Sequence, residues 1–285
     1  MTRLHICVLL ASLPLAAETP FDYDRSRPLD VQEVRRETRE GVQIRDITFS
    51  NLTGGRTEAY LITPPDGPVR AGILYIHWYE PPNPTSNRTQ HIGEATRMAK
   101  LGVVSLLPAT MWSDFEWFRK RKREDDLANS LTQLKELRRA LDLLLAQPGV
   151  NPKRVAFVGH DFGAMFGAVL AGVDRRPVAY ALQAGTTSFT NWYLFGPPMR
   201  EPARAQFIRD LSILAPVRHI ANAAPAPVLL QFATRDIFVS QDVASDFFEA
   251  AKPPREIVFY DAEHGMNAQS VEDRIAWLTR VLSLR

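Results

Sequence analysis

The sequence predicts an α/β fold with a mostly parallel central sheet, helices on both of its faces and a short lid insert. Three observations lead to this prediction. Short apolar runs, typical of strands buried on both faces, alternate along the chain with longer segments of helical periodicity. The composition, 45% hydrophobic and 23% charged residues, is that of a globular protein. No linker-like stretch divides the 285 residues, so we expect a single domain over 18–285.

The first predicted elements form a hairpin at one edge of the sheet. Residues 42–49 and 57–62 alternate between apolar and polar side chains, and the turn-forming segment 51–55 separates them. The pattern then changes, because residues 71–77 form a continuous apolar run. A helix at about 88–101 and a strand at 103–107 follow.

Regular alternation continues to the end of the chain. A long helix is predicted at 124–147, because its leucines repeat every three or four residues and form one apolar stripe. The remaining predictions are strand 154–158, helix 162–172, strand 178–183, an irregular lid insert at about 186–226, strand 228–233, helix 240–251, strand 256–260 and helix 269–283.

The N-terminus has the pattern of an export signal. Arg3 supplies a positive start, Leu4 to Leu15 is an apolar run, and Ala16 and Ala17 are small residues suited to cleavage. We therefore expect residues 1–17 to be a signal peptide and the mature protein to be secreted or periplasmic, with no membrane attachment after cleavage.

Charge and cysteine content exclude several function classes. The net charge is +2, from 34 basic and 32 acidic residues, which gives no electrostatic argument for a nucleic-acid partner. The basic run 119–123 is followed by three acidic residues and is interpreted as a solvated loop. Cys7 is the one cysteine, so no intrachain disulfide or cysteine metal site can form. The six histidines are scattered, and we expect no metal and no cofactor.

The most informative segment is 155–163, VAFVGHDFG. A buried strand leads through Gly159, Asp161 and Gly163 into a helix. This is the pattern of a nucleophile elbow, a strained turn in which small flanking residues lift the central side chain above the sheet. The central residue of such an elbow is normally serine, and here it is Asp161.

Two further residues complete a catalytic arrangement. Asp236 follows a strand, in VLLQFATRD, and His264 follows the last strand, in IVFYDAEHGM. The order nucleophile, acid and histidine resembles that of the α/β-hydrolase fold, and the resemblance covers essentially the whole mature chain. The hairpin start, the elbow, ATRD and YDAEHGM look most like the dienelactone-hydrolase-like branch. The resemblance implies a hydrolase with Asp161, Asp236 and His264 as catalytic residues and no cofactor.

An aspartate nucleophile favours a particular reaction. A carboxylate that attacks a saturated carbon leaves an ordinary ester, whereas attack on an ester carbonyl would leave an unstable mixed anhydride. The elbow GHDFGA resembles those of haloalkane dehalogenases and epoxide hydrolases. His264, oriented by Asp236, would then activate water against the Asp161 ester.

The sequence departs from those two groups in its cap and in one side chain. They usually carry tryptophan after the nucleophile, whose indole N–H can hold a halide, but Phe162 has no donor. The insert 186–226 is also shorter than their caps. Opening an epoxide would need an acid, for which Tyr193 and Tyr79 are the candidates.

The segment after strand 71–77 is expected to stabilise an oxyanion. Its backbone donor would be the N–H of Tyr79 or of Trp78, together with that of Phe162. His77 is interpreted as a residue that orders the loop and Glu80 as an acid at the mouth of the pocket. Two aromatic clusters leave the same edge of the sheet, where ligands bind in open α/β folds. We expect these clusters to form pocket walls, with His77, Glu80, Trp112, Trp117, Trp192 and Tyr193 lining the pocket.

Three functions remain open from the sequence. The first is hydrolysis of an epoxide or carbon–halogen bond through a covalent Asp161 ester, on an apolar or aromatic small-molecule substrate. The second is hydrolysis of an ester or lactone, with Asp161 as a base for water. The third is a catalytically silent binding protein that uses the same cleft.

Overall fold

The computed structural model describes residues 19–65 and 67–284. Its strands form one nine-stranded sheet in the order β1-β2-β3-β5-β4-β6-β7-β8-β9. The strands are β1 (Gln32–Arg39), β2 (Val42–Ser50), β3 (Arg56–Thr63), β4 (Ala71–Ile76), β5 (Val103–Pro108), β6 (Val155–His160), β7 (Ala179–Gln183), β8 (Val228–Ala233) and β9 (Arg255–Tyr260). The first three strands pair antiparallel, β3 pairs antiparallel with β5, and the others pair parallel. The predicted fold class is therefore confirmed.

Helices cover both faces of this sheet. They are α1 (Ile92–Ala99), α2 (Trp117–Lys120), α3 (Asp126–Leu145), α4 (Phe162–Val173), α5 (Thr190–Tyr193), α6 (Ala203–Leu211), α7 (Pro216–His219), α8 (Gln241–Ala250) and α9 (Ala268–Val281). The leucine stripe of α3 faces the core, where Leu134, Leu137, Leu141 and Leu144 are buried. Two large apolar clusters, one on each side of the sheet, form this core.

Two elements differ from the expectation. Strand β1 was not predicted, because its side chains are almost all exposed and polar and carry no apolar alternation. Helix α1 begins at Ile92 rather than near 88, because hydrogen-bonded turns occupy the preceding residues, with Ser86 bonded to Asn83 and Gln90 to Asn87.

The sheet places the candidate residues along one edge. Strands β4, β6 and β8 are buried at every position. Because parallel strands end at the same edge, the loops after β4, β6, β8 and β9 meet there. These loops carry the 77–80 segment, Asp161, Asp236 and His264.

The expected signal peptide at 1–17 lies outside the described residues. Between residues 19 and 284, leaving aside position 66, no helix has the length and apolar character needed to cross a membrane. The insert 186–226 contains three α-helices, α5 to α7, and two 3₁₀ helices, Ser212–Leu214 and Ile220–Ala223.

Candidate active site

Asp161 lies in a strained turn between β6 and α4. Its φ of 53° and ψ of −114° fall in a region that non-glycine residues rarely adopt. The two flanking glycines allow this turn. A Cβ on Gly159 would lie 2.3 Å from the carbonyl oxygen of Gly163, and a Cβ on Gly163 would lie 2.3 Å from that of Ile76. The sequence pattern therefore produces the backbone geometry of a nucleophile elbow.

The two carboxylate oxygens of Asp161 have different surroundings. Oδ2 accepts a hydrogen bond from the backbone N–H of Tyr79 at 3.1 Å, and the backbone N–H of Phe162 also favours the ionised carboxylate. Oδ1 is buried and has no hydrogen-bond partner among the described residues. One oxygen is thus held by the Tyr79 N–H, and the other makes no hydrogen bond within the described residues.

His264 and Asp236 face this free oxygen. Nδ1 of His264 lies 2.8 Å from Oδ2 of Asp236, and Oδ1 of Asp236 accepts the N–H groups of Phe238 and Val239 at 2.8 and 3.0 Å. Because an ionised carboxylate only accepts hydrogen bonds, Nδ1 carries the proton and Nε2 points away from Asp236. That Nε2 atom lies 3.9 Å from Oδ1 of Asp161.

The electrostatics of the pair follow from burial and charge. Burial raises the pKa of Asp161 to about 7, although the His264 imidazolium and the Tyr79 N–H oppose this rise. Burial lowers the pKa of His264, but the hydrogen bond to Asp236 and the charge of Asp161 outweigh it, so that pKa is raised overall. Each group therefore favours the charged form of the other.

The donor loop after β4 corrects two expectations. The N–H of Trp78 donates to Oε1 of Gln90 at 2.9 Å and is not directed at Asp161, whereas the N–H of Tyr79 donates to the Asp161 carboxylate. His77 is also not a pocket residue. Its Nδ1–H donates to the Trp78 carbonyl at 2.7 Å, and its Nε2 accepts from Ser113 at 2.8 Å and from Thr110 at 2.9 Å.

His77 instead fixes the peptide unit between Trp78 and Tyr79. The carbonyl of that unit accepts from His77, and its N–H donates to Asp161. Burial lowers the pKa of His77 to about 3, so the ring is neutral and keeps this pattern near neutral pH.

Two of the expected pocket aromatics are core residues. Trp112 is fully buried, stacks on Phe166 with centroids 5.2 Å apart and donates its indole N–H to the His77 carbonyl at 3.1 Å. Tyr193 is also fully buried, and its hydroxyl is 2.9 Å from Ser130 Oγ on α3. Both side chains are therefore part of the packed interior, Trp112 against α4 and Tyr193 against α3.

Trp117, Trp192 and Glu80 remain partly exposed near the site. The Trp192 ring lies 5.8 Å from the Phe162 ring and 6.0 Å from the His264 ring, between centroids. Its Nε1 is buried and finds no partner in the part of the chain that the structure describes. Burial raises the pKa of Glu80, and the Glu80 charge contributes to the raised pKa of His264.

The basic run 119–123 is not simply a solvated loop. Arg121 is buried, pairs with Asp126 and donates to the Tyr193 carbonyl at 2.6 Å. Arg123 donates to the Pro197 carbonyl at 2.6 Å. Two arginines of the run therefore hold the insert that carries Trp192 against the body of the protein.

The sequence did not identify three residues that contact this site. Phe238 packs 5.1 Å from the His264 ring, between centroids. Gln90 and His160 form hydrogen bonds that reach Trp78 and His264. The position of His160 directly before Asp161 was the available signal, whereas nothing in the sequence indicated Gln90. Among residues 19–65 and 67–284, no group of three histidine, cysteine, aspartate or glutamate side chains is arranged to hold a metal ion.

Known structures share this architecture at low sequence identity. No protein-family model matches the chain, and no curated protein matches its sequence. The chain is similar to an acetyl xylan esterase from Paenibacillus sp. R4, with a TM-score of 0.73, 16% identity and 89% coverage of each chain. It is also similar to acetyl xylan esterase 1 from Thermoanaerobacterium sp. JW/SL YS485, with a TM-score of 0.72, 13% identity and coverage of 93% of this chain and 91% of that one.

A third similar structure carries the fold name in its description. It is the alpha/beta hydrolase GrgF from Penicillium sp. sh18, with a TM-score of 0.61, 16% identity and coverage of 88% of this chain and all of that one. At these identities the comparisons establish the fold, which is the α/β-hydrolase fold, and they leave the reaction to be argued from the site.

Proposed function

We propose that the protein is a cofactor-independent hydrolase that displaces a leaving group from a saturated carbon through a covalent Asp161 ester. The observation that carries this proposal is the asymmetry of the Asp161 carboxylate. Oδ2 is held by the Tyr79 N–H at 3.1 Å, while Oδ1 is free and lies 3.9 Å from Nε2 of His264.

This asymmetry favours displacement at carbon over attack on an acyl group. In an ester hydrolase the backbone donors must be open to receive the oxygen of the substrate carbonyl. Here the Asp161 carboxylate itself occupies the Tyr79 donor. The same donor would stabilise the oxyanion that forms on Asp161 when water attacks an aspartyl ester, because that charge develops on the oxygen it already holds.

The first step needs no base. Oδ1 of Asp161 attacks the carbon, the new C–O bond forms, and the leaving group departs with its bonding electron pair. In the second step Nε2 of His264 takes a proton from water while the water oxygen bonds to Cγ of Asp161. Collapse expels the alcohol, which takes the proton back from His264, and the Asp161 carboxyl then loses its own proton to solvent.

The charge of Asp161 also determines the step at which His264 can act as a base. In the free enzyme the ionised Asp161 helps to raise the pKa of His264. Formation of the ester removes that charge, so the pKa of His264 falls when a neutral base becomes necessary. The alkylation step is compatible with a protonated His264, and the hydrolysis step with a neutral one.

The leaving group that suits this site is a halide. The tyrosines considered as acids for epoxide opening are both engaged, because Tyr193 is bonded to Ser130 and the Tyr79 hydroxyl donates to the Phe115 carbonyl at 2.7 Å. A halide leaves without a proton and needs only a donor. The Trp192 indole N–H, buried beside the His264 ring and without a partner in the described chain, supplies one.

The direct test is to trap the ester. His264→Ala, mixed with benzyl chloride or benzyl bromide, should release halide once per active site and gain the mass of one benzyl group on the peptide that contains Asp161. His219→Ala is the matched control, because His219 lies on α7 and bonds to the Ile213 carbonyl, away from the site. A His264→Ala variant that turns over at the wild-type rate, or remains unmodified while the wild type dehalogenates, contradicts the proposal.

A second candidate is hydrolysis of an ester or lactone with Asp161 as the base for water. The similar structures named acetyl xylan esterases favour it, as does the resemblance to the dienelactone-hydrolase-like branch. Wild-type turnover of p-nitrophenyl acetate or a lactone, with no turnover of benzyl halides or styrene oxide, would select this candidate. Turnover of none of these compounds would favour a silent binding protein.

Export of the protein remains a proposal that rests on the run Leu4 to Leu15 and on Ala16 and Ala17. Sequencing of the N-terminus of protein recovered from its host should give a start near Glu18. Recovery of the intact N-terminus would contradict it.

A further inference from the structure

A continuous chain of hydrogen bonds runs behind the reacting atoms. The N–H of Trp78 donates to Oε1 of Gln90 at 2.9 Å. Nε2 of Gln90 lies 2.6 Å from Nδ1 of His160, and Nε2 of His160 lies 2.9 Å from the carbonyl oxygen of His264. This relay, defined by Gln90 and His160, joins the donor loop after β4 to the loop that carries His264.

The relay has a single consistent arrangement of protons. The His264 carbonyl can only accept, so Nε2 of His160 must donate and Nδ1 must accept. Nδ1 therefore receives the Gln90 amide N–H, which leaves Oε1 of Gln90 to accept from Trp78. If the Gln90 amide were reversed, its NH₂ group would face the N–H of Trp78, and its oxygen would face the unprotonated Nδ1 of His160. Neither contact could be a hydrogen bond, so the relay has no alternative arrangement of protons.

Packing reinforces the same connection. His160 is fully buried at the end of β6. The Trp78 ring stacks on His160 with centroids 4.8 Å apart and an interplanar angle of 15°, and it also lies 6.2 Å from the His264 ring at 25°. A Cβ on Gly265 would lie 3.1 Å from the Trp78 ring. The two loops are therefore in contact as well as hydrogen-bonded.

We propose that Gln90 and His160 are positioning residues that set the oxyanion donor and the general base as one unit. The relay fixes the backbone of Trp78, whose following peptide unit presents the Tyr79 N–H to Asp161. At its other end the relay fixes the backbone of His264, whose ring faces the same carboxylate. This inference rests on the proposed function for its catalytic consequence, but the arrangement it describes can be measured without a substrate.

The substrate-free measurement observes the Nδ1 proton of His264. A proton between imidazole and a buried carboxylate gives a downfield proton resonance, provided that the bond is protected from exchange with water. The resonance should be present in the wild-type protein. His160→Asn keeps an acceptor near the position of Nδ1 for Gln90 but loses the donor to the His264 carbonyl. It should therefore broaden or remove the resonance while circular dichroism remains unchanged.

Gln90→Met provides a second variant in case His160→Asn fails to fold. Gln90 is only partly buried, and methionine preserves its length while removing both of its relay bonds. It should also broaden the resonance. Gln147→Met is the matched control, because Gln147 is likewise partly buried and its side chain bonds only to the Leu143 carbonyl in the described chain. The control should retain the wild-type resonance.

The kinetic measurement separates positioning from general stability. Because only ester hydrolysis uses His264, His160→Asn should slow that step by about 10- to 100-fold and slow the first release of halide much less. The benzyl ester on Asp161 should then accumulate at steady state. A loss of stability alone would reduce both steps together, in proportion to the amount of folded protein.

The outcomes are distinct. The relay is overturned if folded His160→Asn and Gln90→Met both keep the wild-type resonance. It is also overturned if the wild-type protein shows no such resonance, or if Gln147→Met loses the resonance to the same extent as the two relay variants. If no halide or epoxide is turned over by the wild type, the proposed function fails while the resonance measurement still decides the relay.

Discussion

Oδ1 of Asp161 and Nε2 of His264 face each other at 3.9 Å, and neither atom has a hydrogen-bond partner elsewhere in residues 19–65 and 67–284. The distance is too long for a direct hydrogen bond. Each atom therefore remains able to interact with another molecule, which in the proposed reaction is first the substrate and then water. Buried polar atoms without partners are costly, and their presence as a facing pair at the elbow is the strongest structural sign of a reaction site.

The first prediction concerns the pH dependence of alkylation. Asp161 must be ionised to attack, and burial raises its pKa to about 7. The rate of the halide burst should therefore fall about tenfold per pH unit below 7 and become constant above it. In His264→Ala the midpoint should move to higher pH, because the imidazolium that favours ionised Asp161 is gone. A burst rate that is constant between pH 5 and pH 8 would contradict this assignment.

The second prediction is that Asp161→Asn stabilises the fold. The folded protein binds the Asp161 proton more tightly than the unfolded chain, so wild-type stability falls as pH rises from about 4 to about 7. Asparagine lacks this penalty and can still accept from the Tyr79 N–H. The free energy of unfolding should increase by about 4 kcal/mol at pH 8, with no gain near pH 4. Urea titrations at both pH values test this, and equal gains at both would contradict it.

The third prediction concerns the donor for the leaving group. Trp192→Phe keeps the ring but removes the buried N–H, so halide release should slow by about 10- to 100-fold, the effect of removing one transition-state donor. Trp117→Phe is the control, since Trp117 packs against Phe162 at 5.4 Å and has no assigned role as a donor. Both variants should bind an unreactive analogue such as toluene equally well. Equal halide release by the two variants would remove Trp192 from the mechanism.

The fourth prediction concerns the buried ion pair between α1 and α9. Arg274 contacts Glu94 at 2.5 and 3.0 Å and donates to Gln231 at 2.7 Å, and both charged side chains are buried. Burial works against ionisation, but Arg274 lowers the pKa of Glu94 to about 2. Glu94→Gln leaves a buried charge without its partner and should cost about 3 to 5 kcal/mol at pH 7.

The exposed pair between Arg97 and Glu272 is the matched control, at 2.6 Å on the same two helices. Glu272→Gln should change the midpoint of urea unfolding by no more than the experimental error, because water screens the pair. The cost of Glu94→Gln should persist down to about pH 4.5 and disappear as pH approaches 2. Similar costs for the two variants would show that burial does not determine the strength of these pairs.

The sequence was sufficient for eight of the nine strands and for the placement of Asp161, Asp236 and His264 at one edge of the sheet. Buried strands such as 71–77 have continuous apolar runs, and the spacing of glycines around Asp161 can be recognised because only a tight turn requires it. The order Asp161, Asp236 and His264 then places three groups at one edge, since parallel strands end together. None of these inferences requires knowledge of where a side chain points.

Side-chain direction is what the sequence could not supply. Trp112 and Trp117 lie five residues apart in one aromatic cluster, yet Trp112 is a core residue and Trp117 is partly exposed. Tyr193 and Trp192 are adjacent, but one turns toward Ser130 and the other lies beside His264. The packing of the insert on α3 determines which of these two side chains is buried against α3 and which lies beside His264. No periodic pattern in the sequence indicates this packing. Gln90 was missed for a related reason, because its side-chain hydrogen bonds join it to Trp78 and His160, which lie on other segments of the chain.

The most direct test of the covalent ester follows oxygen from solvent into Asp161. In the proposed reaction water attacks Cγ of the aspartyl ester, so one carboxylate oxygen is exchanged for a solvent oxygen in the course of turnover. After many turnovers of benzyl chloride in ¹⁸O-labelled water, mass spectrometry should find label in the peptide that contains Asp161. Labelling should require His264, and it should be absent without substrate. Complete turnover with an unlabelled Asp161 peptide, and label in the product alcohol alone, would contradict the covalent ester.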